Sequence, residues 1–236
     1  RKKMKILTII PARGGSKGIK LKNLSRINDK PLVAYSIEHS LASKLINRTI
    51  VSTDNEEIAK VSEKYGAEIP IFRSKELAGD DVLDFPVFEH MLTYLKKEEN
   101  YEPDIVVHLR PTSPYRKPEW IDSAINLLIK NSSADSVRSV SEPSQHPYRI
   151  FEIKNKYLHP LMNERHPEPY LLRRQDLPKM YYYNCVIDVT KPSTIFNKKS
   201  MTGDKMLPYI MNMEDSIDID AKVDLEFARF FLKDRI

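Results

Sequence analysis

Apolar positions fall into short continuous runs that alternate with stretches of helical spacing. Lys5 to Ile10 is almost wholly apolar and stops at Pro11, which predicts a strand covered on both faces, as in a parallel sheet. Arg48 to Ser52 and Asp104 to Leu109 read the same way, and a short strand is expected over Ile69 to Phe72. Between the first two, Pro31 to Ser43 places Val33, Ile37 and Leu41 on one helical face, with Pro31 suited to a first turn. Asp54 to Tyr65 repeats that spacing with Ile58, Val61 and Tyr65, opens on acids and is closed by Gly66. Asp84 to Lys97, with Phe88, Leu92 and Leu95 inward, and Pro118 to Ile129, with Ile121, Ile125 and Leu128, complete the series. Strands alternating with helices of this length predict an α/β fold with a doubly wound, mostly parallel sheet, whose ligands bind beyond the carboxyl ends of the strands.

The pattern changes after Val140. Glu142 to Met180 is rich in proline, histidine and aromatic residues, has strand candidates only near Tyr148 to Ile153, and reads as an excursion from the sheet that packs on a second subunit. Cys185 to Val189 returns to the sheet, and Ala221 to Leu232 forms the last helix, with Val223, Phe227, Ala228 and Phe231 on its apolar side. The expected organisation is one domain over 4–236 with a smaller inserted arm over 141–182.

Composition narrows the class without deciding it. Hydrophobic residues at 41% and charged residues at 30% describe a folded domain, and no apolar run reaches the roughly 18 to 20 residues that cross a bilayer. Neither a membrane span nor a signal peptide is expected, and the basic tripeptide before Met4 carries no functional weight. The single cysteine, Cys185, excludes an internal disulfide and a cysteine zinc site; its apolar neighbours predict a packing thiol and its solitude fits a reducing cytoplasm. A net charge of +5 suits anionic ligands, but the cations are scattered among acids, so nucleic acid is not the expected partner.

The segment after the first strand carries the chemistry. Ala12-Arg13-Gly14-Gly15-Ser16-Lys17-Gly18, continuing through Lys22 and Asn23, sets glycines, a hydroxyl and cations beside a strand end. Glycines let backbone N–H groups approach phosphate oxygens, and Arg13, Lys17 and Lys22 can neutralise their charge. Neither the Walker A spacing nor the dinucleotide G-x-G-x-x-G is present, which excludes P-loop hydrolysis and hydride transfer. Asp218 and Asp220 stand two apart in an extended segment, so their carboxylates share a face and can hold a divalent cation, Mg²⁺ being the natural choice. Two acids before a helix also simply favour its positive end.

Taken in order, the Arg13–Asn23 segment, Ser52-Thr53-Asp54, Arg110-Pro-Thr-Ser-Pro-Tyr-Arg116 and Ile217-Asp-Ile-Asp220 followed by Asp224-Leu-Glu resemble the acylneuraminate cytidylyltransferases, the CMP-sialic acid synthetase family, over nearly the whole chain. The resemblance implies a Rossmann-like domain with a dimerisation arm, hence a homodimer, and a reaction that joins CTP to a nine-carbon acidic sugar with release of pyrophosphate. It implies that Ala12 to Lys17, Lys22, Asn23, Arg73 and Asp80 bind the nucleotide, and that Asp218 and Asp220 bind the catalytic metal beside the triphosphate. Arg110, Thr112 and Ser113 would face nucleotide or sugar. Arg174 and Gln175 match the family's Arg-Gln segment beside the sugar pocket, where a guanidinium suits bidentate carboxylate recognition.

Two positions depart from the family pattern. Many relatives carry Gln in place of Arg110, and Asn-Gly-Ala-Ile-Tyr where this chain has Asn184-Cys-Val-Ile-Asp188, so sialic, legionaminic and pseudaminic acids all remain open as substrates. The expected mechanism is in-line attack of the sugar's anomeric hydroxyl on the α-phosphorus, with Arg13 and Lys17 stabilising the departing pyrophosphate. No general base stands out; a cation that lowers the hydroxyl's pKa makes one unnecessary. The histidines show no metal-ligand spacing. The alternatives are a cytidylyltransferase for the eight-carbon sugar Kdo, and a nucleotide- or nucleic-acid-binding module without catalysis.

Overall fold

The computed structural model describes residues 3–235; Arg1, Lys2 and Ile236 lie outside the described residues. In chain order the elements are β1 (Ile6–Pro11), the two-residue β2 (Arg26–Ile27) and β3 (Lys30–Pro31), α1 (Leu32–Leu41), β4 (Arg48–Ser52), α2 (Glu56–Lys64), α3 (Asp84–Glu99), β5 (Ile105–His108) and α4 (Pro118–Lys130). There follow β6 (Ser136–Ser141), β7 (Phe151–Lys154), β8 (Tyr157–Pro160), β9 (Tyr182–Thr190), α5 (Pro192–Lys198), β10 (Met206–Ile210) and α6 (Lys222–Leu232).

The main sheet runs β10-β6-β9-β5-β1-β4. β1 is parallel to both β4 and β5, β10 is parallel to β6, and β9 alone runs antiparallel, between β5 and β6. Alternate residues of β1 feed two cores, which is why its sequence is continuously apolar. Ile6 and Ile10 pack with Val33 and Ile37 of α1, Ile58 of α2 and Ile121, Ile125 and Leu128 of α4. Leu7 and Ile9 pack on the opposite face with Phe88, Met91 and Leu95 of α3 and Ile195 of α5. A third cluster ties Leu225, Ala228 and Leu232 of α6 to Ile27, Leu32 and Tyr35. The expected α/β class with a mostly parallel sheet is observed. The chain first steps from β1 to β4 and then returns to β5 on the other side of β1, so the carboxyl ends of β1 and β5 flank the switch point where such sheets bind ligands. Among the described residues no helix is long and apolar enough to cross a membrane.

Several local expectations are corrected. No strand forms over residues 69–72: only Glu68 bridges Ile50, and Pro70, lacking an N–H, cannot extend that ladder. Leu41 is exposed; the α1 stripe continues instead through Ser40, whose hydroxyl bonds the Thr49 hydroxyl at 2.8 Å. On α6, Val223 and Phe227 face outward and Leu225, Ala228 and Leu232 face the core. Cys185 is half-buried, at a φ of 61° where the β6–β9 register shifts, so it sits on a bulge and not in the core; burial raises its thiol pKa, in keeping with an inert side chain. Unanticipated were β6, which carries three buried serines, Ser136, Ser139 and Ser141, and β10, an edge strand carrying Pro208.

Residues 142–181 leave the sheet. Within them β7 and β8 form a hairpin through Asn155 and Lys156, both at positive φ, as a tight primed turn requires. Ile153, Tyr157 and Leu158 on this hairpin are largely exposed.

Candidate active site

The loop after β1 is held by the strand beside it. Ala12 donates to the Ser52 carbonyl at 2.9 Å, Gly14 N–H donates to Asp54 Oδ1 at 2.8 Å, and Asn23 Nδ2 donates to the Arg13 carbonyl at 2.9 Å. Two of its glycines are dictated by close approach. A Cβ on Gly14 would stand 2.9 Å from the Cβ of Asn55, the cap of α2, and one on Gly18 would stand 2.6 Å from the Asp220 carbonyl oxygen. The loop is therefore closed at one end by β4 and α2 and at the other by the segment before α6.

Two of its cations point to one place. Arg13 and Lys17 both reach Asp80, at 2.9 and 3.3 Å, and Arg13 also donates to the Gly79 carbonyl at 2.8 Å. Asp80 is thus the shared partner of these two cations, its carboxylate engaging their donors. Lys22 Nζ donates to the Ile219 carbonyl at 2.8 Å and lies 3.4 Å from Asp220. Arg73 is buried, with Nη2 on the Ser52 carbonyl at 2.7 Å; burial pulls its pKa down to about 10, leaving it charged at neutral pH. A cleft of about 220 Å³ opens among these residues, lined by Arg13, Gly15, Ser16, Lys22, Asn23 and Arg73 together with Asp84, Arg110 and Thr112.

Arg110 follows β5 and is clamped from below. Nη1 donates to Asp188 at 2.6 Å and Nη2 to Asp84 at 2.8 Å, and its guanidinium lies 5.6 Å from the centre of the Tyr183 ring. Burial works against its charge, and the acids, Asp188 foremost, more than offset this and hold its pKa above the usual arginine value. Asp188 itself is fully buried, bound also by Arg138 at 3.0 Å and by the Tyr183 hydroxyl. His108, sealed beneath, is pushed well below the ordinary histidine pKa by burial and the nearby arginines, and stays neutral. Arg116 is buried too, donating to the carbonyls of Val186 and Arg110, each at 2.6 Å.

The acidic pair lies beside this cleft. Ile217 and Ile219 turn inward and Asp218 and Asp220 outward, so the two carboxylates do share a side. Ile219 N–H donates to the Thr112 carbonyl at 2.9 Å, and the Thr112 side chain bonds Asp218. Asp218 keeps an exposed edge, yet crowding by protein, and secondarily the charge of Asp220, raise its pKa.

The cytidylyltransferase family model matches residues 7–203. This chain belongs to the cytidylyltransferase family. It is 35% identical over 230 residues to CMP-N,N'-diacetyllegionaminic acid synthase of Legionella pneumophila, covering 94% of this chain and 93% of that one. It is 33% identical over 227 residues to N-acylneuraminate cytidylyltransferase of Escherichia coli, covering 95% of this chain and 51% of that longer protein. A solved structure of CMP:2-keto-3-deoxy-manno-octonic acid synthetase complexed with CTP aligns at a TM-score of 0.73, covering 98% of this chain and 100% of that one, at 14% identity, a likeness of fold alone. The resemblance drawn from the four ordered segments is borne out, and the chain is a nucleotidyltransferase.

Not every expected site residue of this cytidylyltransferase joins the cleft. Ala12 and Ser113 are fully buried, and Asp188 lies under Arg110 with no exposed surface. Arg174 and Gln175 sit on a short turn of the arm; Arg174 lines a separate cavity of about 410 Å³ with Glu142, His146, Arg149 and Lys179. Asp84, Arg138 and Tyr183 were not singled out from the sequence. Asp84 reads there only as the start of a helix, and the other two lie in segments whose pattern is irregular.

Proposed function

We propose that this cytidylyltransferase couples CTP to an acidic nonulosonic sugar of the sialic, legionaminic or pseudaminic type, giving the CMP-sugar and pyrophosphate. The observation that carries this is the convergence of Arg13, Lys22 and Arg73 with the outward carboxylates of Asp218 and Asp220 around one cleft at the ends of β1 and β5. Full-length similarity to a legionaminic acid synthase supports the sugar class. The sugar's anomeric oxygen forms the new bond to the α-phosphorus as the bond to the β-phosphate oxygen breaks, and the hydroxyl proton passes to water. Arg13 and Lys17, released from Asp80, hold the departing pyrophosphate; in-line geometry then sets the sugar on the opposite side, toward Arg110. Arg174, on the arm and outside this cleft, is the proposed clamp for the sugar's carboxylate in the cleft of a second copy.

Asp218 and Asp220 fit a divalent cation, Mg²⁺ in our reading. They are two outward carboxylates, of which Asp218 is held from ionising first by burial and then by the charge of Asp220, and Mg²⁺ sites are commonly completed by phosphate oxygens and water. When bound there, the cation neutralises charge on the phosphates and lowers the pKa of the attacking hydroxyl. Pyrophosphate release, measured for each NTP against a panel of nonulosonic and octulosonic acids, is expected only with CTP and a nonulosonic acid. EDTA, Asp218→Asn and Asp220→Asn are each expected to abolish it. No turnover with CTP and any acid would sink the reading, and intact Mg²⁺-dependent turnover in both variants would remove the metal assignment.

A cytoplasmic homodimer completes the proposal. Ile153 and Leu158, exposed and directly paired on the β7–β8 hairpin, give the arm an apolar face that a second copy would cover. Sedimentation is expected to find a dimer, and Leu158→Asp with Ile153→Asp a monomer; a monomeric parent chain contradicts this part alone.

A further inference from the structure

Helix α6 carries two apolar faces, and the chain itself covers only one. Leu225, Ala228 and Leu232 pack with Ile27, Leu32 and Tyr35. Val223, Phe227 and Phe230 lie on the opposite side, at the i, i+4 and i+7 spacing of a second stripe. They are 71%, 56% and 81% exposed, and among the described residues no other large apolar side chain is as exposed as Phe230. Phe227 also stacks on the half-buried Phe231, ring centres 5.7 Å apart, which widens the stripe into an aromatic surface. A surface helix ordinarily turns charged and polar residues to water on this side; apolar residues held there mark a surface that another apolar surface covers.

We propose that α6 pairs with α6 of a second copy, antiparallel about a two-fold axis at Phe227, in a contact distinct from the arm. The charges beside the stripe select this occupant. Glu226 and Arg229 stand on one flank, both exposed and paired with each other. The axis sets Phe227 on Phe227 and Val223 on Phe230, and it brings like flanks together, so Glu226 of each copy meets Arg229 of the other. Lys222 and Lys233 then face each other at the ends of the contact, where solvent screens them. Parallel pairing would instead bring the Glu226 flank of one copy beside the Asp224 flank of the other, acid against acid. A membrane suits the face less well, because Asp224, Glu226 and Asp234 are interspersed with its cations, whereas an interfacial helix is rich in cations alone. Each copy contributes one helix, less than a standard interface, so the pairing is weak and joins molecules only at high concentration.

Sedimentation of the purified full chain from about 1 µM to several hundred µM tests this. The parent is expected to keep one mass when dilute and to approach twice that mass when concentrated. Phe227→Asp with Phe230→Asp should hold the dilute mass throughout. Both residues lie away from Asp224, which accepts from the Asp220 and Ala221 N–H groups at 3.0 and 2.7 Å, and an unchanged thermal midpoint shows that the fold survives. Charge reversal identifies the partner: Glu226→Arg and Arg229→Glu should each weaken the doubling about 10-fold or more, and the two together should restore it. Ile153→Asp with Leu158→Asp should lower the dilute mass and leave the doubling in place, so this contact and the arm contact fail separately. The inference is overturned if the parent mass does not change with concentration, if doubling survives Phe227→Asp with Phe230→Asp, or if the double reversal does not restore it. Cosedimentation with phosphatidylserine vesicles that those two aspartates abolish, without doubling of mass, would give the face to a membrane and overturn it equally.

Discussion

Arg13→Ala lowers kcat for CMP-sugar formation by about 10²- to 10³-fold while leaving the fold intact, the scale seen when one preorganised donor to a developing charge is removed. Arg13 is suited to that role because its backbone is fixed on both sides: Asn23 Nδ2 bonds its carbonyl at 2.9 Å, and the next residue donates to Asp54 at 2.8 Å. Its guanidinium is turned to Asp80 and the Gly79 carbonyl, so the donors are oriented before phosphate arrives. The stability cost is small, since partly exposed ion pairs are typically worth about 0 to 1 kcal/mol. Lys17, with 73% of its side chain exposed, is held by one long contact at 3.3 Å, and Lys17→Ala is accordingly milder. Steady-state kinetics decide this. A loss confined to the CTP KM at full kcat would place Arg13 in uniform ground-state binding, and a fall in thermal midpoint to match the fall in rate would make its role structural.

How much of this was legible in the sequence depends on how local each feature is. β1, β4, β5 and helices α1 to α4 follow from periodicity because each buries a face set by its own residues. That the loop after β1 carries cations at the cleft follows from composition and position, since its glycines and cations come directly after a buried strand. The expected strand at 69–72 failed at Pro70, where a side-chain pattern concealed the missing backbone donor. β6 was concealed for the opposite reason: Ser136, Ser139 and Ser141 are buried polar residues, the last two bonded to β9 and Ser136 to the Thr202 carbonyl, so a buried strand looked polar. The clamp on Arg110 has no sequence signature at all. It joins the first residue of α3, the end of β5, the middle of β6 and two residues of β9, and only the antiparallel insertion of β9 between β5 and β6 brings them together. Arg110 and Asp188 each depart from the family pattern in sequence; that they are partners of one another follows only from the fold.

That partnership sets the largest expected effect on stability. Asp188→Ala is expected to destabilise the protein by about 3 to 5 kcal/mol, the range for removing one member of a buried ion pair. Arg138, almost fully buried, would lose its acid at 3.0 Å, and Arg110 would keep only the exposed Asp84. The loss is not the Coulomb energy of the cluster but the cost of leaving charge in a place that water cannot reach, which gives the comparison its direction. Removing a buried cation together with the acid recovers stability: Asp188→Ala with Arg138→Met should be less destabilised than Asp188→Ala alone, a non-additivity expected of contacting residues. Asp188→Asn, which keeps the shape and some hydrogen bonds, should fall between. Urea unfolding of these four proteins and of Arg138→Met alone checks the order and the non-additivity. A cost below about 1 kcal/mol for Asp188→Ala, or strictly additive effects in the double variant, would mean that solvent reaches this cluster and that Arg110 is not held from beneath.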